Sequence, residues 1–314
     1  MRSRIAKIFY VVLICAIVFG IGIFITNRLS EKRGTAKIIA ANFVGYDFTR
    51  AVTGDGSQVS MLVKPGSETH SFEPTPEDII NIKNADLFIY TGGESDDWVE
   101  KLLENNQISE EKVLRMMDIV EVKEEKIVEG MEGEHEEEVE YDEHVWTSPK
   151  NAIKILDGIR DKLAKIYPEN AEKYEKNTAE YTEKIAEIDA GFRKIVNSAN
   201  KKELIFGDRF PFRYFVDEYG LEYYAAFPGC SEQTEASSNT VAFLVDKARE
   251  DGIKVILKIE LTSDKLAKTI ADEANAKVLE LNAAHNISQE NCERGVTYVD
   301  IMGENIEVIR EALE

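Results

Sequence analysis

Histidine is scarce in this chain, with four among 314 residues, and cysteine is scarcer at three. Three cysteines build no disulfide framework. Cys15 falls in an N-terminal apolar run, leaving Cys230 and Cys292 as either one bridge or two separate thiols. Basic residues are outnumbered, 38 lysines and arginines against 59 acids, for a net charge of −21. Phosphate backbones need a basic face, so this balance excludes nucleic acid as a partner. His-Glu-x-x-His, Gly-x-Ser-x-Gly and Walker patterns are absent too, and with them three common signatures of hydrolytic enzymes.

The rest of the composition, 43% hydrophobic and 31% charged, is that of an ordinary globular chain. Its length suffices for about two domains. Residues Ile8 to Ile25 form an 18-residue uncharged apolar run behind Arg2, Arg4 and Lys7. At 1.5 Å rise such a run just spans a hydrocarbon core of ~30 Å. An uncleaved anchor is the first reading; a lipid-modified signal at Cys15 and an ordinary cleaved signal are the others. All three put the body outside the cytoplasmic membrane, tethered to its outer face in the first two.

After this segment (1–35), apolar strand signals at 38–43, 59–63 and 86–90 alternate with helical ones at 48–53, 76–84 and 98–104. That alternation predicts a parallel sheet with helices on its faces, a first lobe over 36–147. An acidic loop, 121–143, interrupts it with twelve acids against two lysines. Its composition favours a solvated, structureless segment; the alternative is a face that concentrates cations. Linking helices follow over 148–201. Tyr174, Thr178, Tyr181, Ile185, Ile188, Phe192 and Ile195 recur at spacings of four and three, which predicts one helix of roughly 30 residues, about 45 Å long. Strand signals resume at 204–206, 221–227, 254–259 and 276–281, with helices at 212–218, 240–250, 264–274 and 298–313, giving a second lobe over 202–314. The expected fold class is therefore α/β: two lobes, each with a mainly parallel sheet, joined by a long helix.

Ligands of open α/β sheets bind outside the carboxyl ends of the strands. His70, Asp208, Glu260 and His285 each follow such an end, and His144 stands between the acidic loop and a helix start in Tyr141-Asp-Glu-His-Val-Trp-Thr-Ser-Pro149. Taken singly, each has an ordinary explanation as a hydrogen-bonded or solvated group. Together they form a candidate metal set of His70, His144, His285, Asp208 and Glu260. Three imidazoles with a carboxylate suit Zn²⁺, with Mn²⁺ as the alternative.

Pro65-Gly-Ser-Glu-Thr-His-Ser-Phe-Glu-Pro-Thr-Pro-Glu-Asp78 resembles the first-ligand motif of the zinc/manganese substrate-binding proteins of ABC transporters. Asp142-Glu-His-Val-Trp-Thr-Ser-Pro149 resembles their second-ligand motif, and Arg213-Tyr-Phe-Val-Asp-Glu-Tyr-Gly-Leu221 the helix after the third ligand. The resemblance covers about residues 36–314 and implies His70 and His144 as ligands. It departs in the second lobe, where the third-ligand position aligns near Arg209, with Asp208 the nearest substitute, and the family's late aspartate aligns near Val296. His285 then supplies an imidazole from another strand end. The resemblance implies a monomeric, non-enzymatic protein that captures metal outside the cell and hands it to an ABC transporter permease. A zinc hydrolase with an open coordination position, or a surface adhesin using the acidic loop as its contact, are the competing readings.

Overall fold

Short apolar runs bounded by turn residues form two four-stranded sheets in the computed structural model, which describes residues 38–54, 56–67, 72–106, 108–131, 140–231 and 235–314. The apolar run 8–25 lies outside them, and no described helix is long and apolar enough to cross a membrane.

The first lobe comprises β1 (Ile38–Ala40), α1 (Phe43–Thr53), β2 (Val59–Met61), α2 (Pro76–Asn84), β3 (Leu87–Tyr90), α3 (Asp97–Asn106) and β4 (Val113–Arg115). Its strands pair in parallel in the order β2-β1-β3-β4. Helices α4 (Pro149–Ile166) and α5 (Ala171–Ser198) lead to the second lobe: β5 (Glu203–Phe210), α6 (Arg213–Tyr219), β6 (Glu222–Pro228), α7 (Ser238–Glu250), β7 (Val255–Lys258), α8 (Lys265–Ala274), β8 (Lys277–Glu280), α9 (Gln289–Arg294) and α10 (Tyr298–Ala312). There the order is β6-β5-β7-β8, again parallel. Counted within each lobe, both sheets run 2-1-3-4. The lobes repeat one topology although the sequence shows no repeat.

Local chemistry sets the helix starts. Thr75 and Asp78 form a capping box with Pro76 at the first helical position, and Ser148 accepts from the Asn151 N–H ahead of Pro149. Asn42 caps α1 through Gly45, so that helix begins five residues before the apolar pattern suggests. Strand β4 and helix α9, at three and six residues, escape the pattern because they are too short to show a period.

Helix α5 has 28 residues, about 42 Å. Its buried stripe is the expected one except at its end, which falls on Val196 rather than Ile195. One apolar cluster runs from Ile38 and Phe48 through Tyr181 and Phe192 to Phe206 and Ile309, crossing both lobes and the helices between them. Where α1, α5 and α10 meet, the buried Asp47 carboxylate accepts from the Tyr181 hydroxyl at 2.5 Å and the Tyr298 N–H at 3.0 Å. Burial raises this carboxyl above its ordinary value and the two hydrogen bonds pull it back.

The described parts of the acidic segment, 121–131 and 140–143, are not the free chain that composition suggests. Glu124 and Tyr141 form an antiparallel bridge, and the Glu125 and Asp142 N–H groups donate to Glu140 and Lys123 carbonyls at 2.9 Å each. From this neck the chain lies across the second lobe. Tyr214 receives a hydrogen bond from the Lys123 N–H at 3.0 Å and donates to the Asp142 carbonyl at 2.7 Å. Tyr223 donates to the Lys126 carbonyl, Lys123 pairs with Asp217, and Gly130 is pressed against the Phe243 ring. Backbone hydrogen bonds to tyrosines override charge here; residues 132–139 lie outside the described set.

Removing the Tyr181 hydroxyl leaves Asp47 buried with one partner fewer. Tyr181→Phe should lower unfolding free energy by ~1–3 kcal/mol in urea titration, and a change within measurement error would refute the role given to this bond.

Candidate metal centre

In both sheets the strand order reverses between the first and third strands, β1 and β3 in one lobe, β5 and β7 in the other, and the two carboxyl ends face a common cleft. At the end of the first sheet Asn42 donates to Thr91 at 2.7 Å, tying β1 to β3. Gly92 and Gly93 then turn with φ of 86° and 97°, a region closed to ordinary side chains. Asp96 holds the turn by accepting from the Thr91 and Gly92 N–H groups, and burial pushes its carboxyl up to about 6. The turn delivers Ser95, whose N–H and hydroxyl donate to the two oxygens of Glu143 at 3.0 and 2.5 Å.

Residues Asp142 to Ser148 are all buried, and His144 completely so. Asp142 Oδ1 accepts the His144 backbone N–H at 2.8 Å and lies 3.2 Å from its Nδ1. A carboxylate behind Nδ1 fixes the tautomer that offers its lone pair at Nε2. Burial disfavours a charged His144, but Asp142, Glu143 and Glu125 outweigh it and raise the imidazole above its usual value. Glu143 is pushed up to about 7, chiefly by burial and against the pull of His144.

From the second lobe, Glu260 follows β7 and accepts the Ala283 and His285 N–H groups at 2.7 and 3.0 Å, one on each oxygen. Leu261 and Ala284, neighbours of Glu260 and His285, hold φ of 58° and 56°. Non-glycine residues keep such backbone only where their surroundings over-determine it, commonly beside functional groups. Trp146 donates to the Ala283 carbonyl at 2.7 Å, and its ring lies 5.4 Å from that of His285.

These constraints converge. Glu143, His144 and His285 each offer a ligand atom, all within 4.8 Å of one another. Glu143 Oε1 is 3.7 Å from His285 Nε2, and the two imidazoles are perpendicular with centroids 4.9 Å apart. A cleft of about 200 Å³ opens beside His285, bordered by Ser67, Arg209, Glu260 and Asn286.

Of the residues singled out by sequence, His144 and His285 therefore meet. Glu260 stands behind His285 as a backbone anchor. Asp208 turns elsewhere, accepting from the Thr262 hydroxyl at 2.5 Å and the Arg209 and Ile259 N–H groups, so it ties β5 to β7. His70 lies outside the described residues. The loop that leads to it is stapled to the His285 loop: Asn286 donates to the Lys64 and Ser67 carbonyls, and Gly66 to that of Ile287. Glu143 was not anticipated; its one signal was an acid directly before His144. Cys230 and Cys292 are separate thiols, with Cys230 buried and pushed well up by that burial and by nearby carboxylates.

The model of the family described as ZnuA, zinc-uptake complex component A, periplasmic, matches residues 38–312. The chain belongs to this family. It is 34% identical over 300 residues to the high-affinity zinc uptake system protein ZnuA of Bacillus subtilis (strain 168), covering 92% of this chain and 91% of that one. It is 30% identical to the zinc-binding lipoprotein AdcA of Streptococcus pneumoniae (strain ATCC BAA-255 / R6), where it spans 58% of the relative's length. The crystal structure of the Zn(II)-bound ZnuA-like domain of Streptococcus pneumoniae AdcA superposes with a TM-score of 0.73 at 30% identity, covering 88% of this chain and 98% of that one.

A Cβ on Gly93 would lie 2.8 Å from Glu143 Cβ and 2.9 Å from its Oε2, on a backbone that disfavours one anyway. Gly93→Ala should destabilise the metal-free protein by ~1–3 kcal/mol. Thermal unfolding checks this, and an unchanged midpoint would contradict the close approach.

Proposed function

We propose that this protein captures Zn²⁺ outside the cytoplasmic membrane, between its two lobes, and passes the ion to the permease of an ABC importer. The observation that carries the reading is the meeting of His144 from one lobe with His285 from the other at ligand distance. The likeness of Pro65–Asp78 to the family's first-ligand motif supports His70 as a third imidazole on the same ion. Imidazole nitrogens favour Zn²⁺ over Mn²⁺, which prefers oxygen. The zinc-uptake and zinc-binding names of the relatives at 34% and 30% identity support the same choice. Glu260 and Asp142 act behind the ligands: one fixes the His285 loop, the other fixes the His144 tautomer.

The protein works as a monomer tethered by its N-terminal apolar run, as a carrier rather than a catalyst. Capture involves small loop movements, because the apolar cluster that crosses the lobes resists a wide opening. Delivery then depends on the permease loosening a loop, such as that of His285, rather than on a swing of whole domains.

Isothermal titration with zinc tests the reading. His144→Ala and His285→Ala should each weaken binding about 100-fold or more, and wild-type affinity in both variants would overturn it. Protons compete with the ion for the same lone pairs. His144 titrates above its usual range and Glu143 at about 7, so zinc affinity should fall steadily as pH is lowered from ~7.5 to ~5.5. A flat profile would mean that neither group faces the metal.

A further inference from the structure

We infer that Glu143 is itself a ligand of the cargo ion, supplying a carboxylate arm from the first lobe, with Ser95 as the residue that aims it. This rests on the metal-capture reading above and goes beyond it, since neither the sequence motifs nor the resemblance assigns Glu143 a role.

The distances fit a coordination shell. Donors ~2.0–2.2 Å from a tetrahedral ion stand about 3.3–3.6 Å from one another. Glu143 Oε1 and His285 Nε2 are 3.7 Å apart, and the His144 donor closes a triangle with no edge above 4.8 Å. A shift of about 1 Å in His285 or His144, the size of a side-chain adjustment, would bring all three onto one ion.

The carboxylate is also oriented for the task. Ser95 donates once to each oxygen, from its N–H to Oε2 and from its hydroxyl to Oε1. An ionised carboxylate has about four acceptor positions, so two hydrogen bonds fix its plane and leave each oxygen able to donate to a metal. Gly93 lacks the side chain that would push Glu143 aside. The Gly92-Gly93 turn, Asp96 and Ser95 together make a socket for one carboxylate, at the end of the strand where a ligand is expected.

The other nearby acids hold backbone in place and fall outside the triangle with both imidazoles. Both oxygens of Glu260 serve the Ala283 and His285 N–H groups, Asp208 serves the β5–β7 junction, and Glu125 accepts from Gly229 and Cys230. Asp142 stands behind His144. Glu143 alone among them has its oxygens in the triangle with both imidazoles. The need is electrostatic as well. Arg209 borders the same cleft, and neutral imidazoles alone would leave the full charge of a buried dication uncompensated. One directly bound carboxylate halves it.

Two measurements on the soluble body decide the matter. In a crystal structure of the zinc-loaded wild type, a Glu143 oxygen is expected at ~2.0–2.2 Å from the ion; a separation beyond ~3 Å overturns the inference. In zinc titrations, Glu143→Gln should bind about 100-fold more weakly and Ser95→Ala about 10-fold more weakly, with metal-free melting points near that of the wild type. If His144→Ala loses binding while Glu143→Gln keeps wild-type affinity, this inference fails and the capture reading stands. If the wild type binds no zinc, or His144→Ala binds as tightly as the wild type, the capture reading fails first.

Discussion

One indole joins the two halves of the centre. Trp146 is fully buried, donates to the Ala283 carbonyl, accepts the Tyr298 hydroxyl on its own carbonyl, and lays its ring beside His285. His144 lies two residues earlier in the same 3₁₀ turn region, so the turn that places the first imidazole also grips the loop that presents the second. An N–H buried at such a junction costs free energy unless paired. The loop carrying His285 is therefore drawn to a fixed place, and Glu260 takes up its N–H groups from behind. The separation of the two imidazoles is set by this chain of buried hydrogen bonds, not by a flexible hinge.

The rest of the molecule reinforces that constraint. The apolar cluster continues through α5 from one lobe to the other, so opening the cleft would expose core surface at roughly 25 cal/mol per Å². The described part of the acidic segment, a strap across the second lobe, adds a second clamp through Tyr214, Tyr223 and Glu125. Two lobes with one shared topology are in this way fused into one body whose ligands sit on loops between the strand ends. Ordering a loop around an ion is a smaller event than closing a pair of domains, and it suits a protein that must release what it binds.

Sequence pattern revealed the alternation, the long helix and the two histidines that meet, because each rests on a local signal: period, cap, or strand end. It did not reveal the roles of the carboxylates. Asp208 and Glu260 follow strand ends just as a ligand would, yet their oxygens are taken up by N–H groups from segments far away in the chain. Glu143 looked like one more acid in a run of twelve, and only the Ser95 turn, 48 residues earlier, distinguishes it. The described ends of the acidic segment, 121–131 and 140–143, escape sequence for the same reason. Its composition is that of a solvated chain, but the partners that hold it are tyrosine hydroxyls on α6 and β6, a contact no window of sequence contains.

Burial raises Glu143, Glu125, Glu260 and Asp96 alike, and Asp142, Glu143 and Glu125 in turn raise His144. Acids packed this way hold a proton more tightly than exposed ones, so protons and a dication compete for the centre. Each proton displaced couples binding to pH, and each carboxylate freed to ionise beside the ion strengthens the attraction in a medium of low dielectric. Because the acids belong to the first lobe, the strap and the second lobe in turn, the ion's field pulls all three together. Binding should thus tighten the junction that Trp146 already defines. A ligand that binds only the folded form raises stability in proportion to the logarithm of its concentration, so the metal-bound protein should be the more stable one.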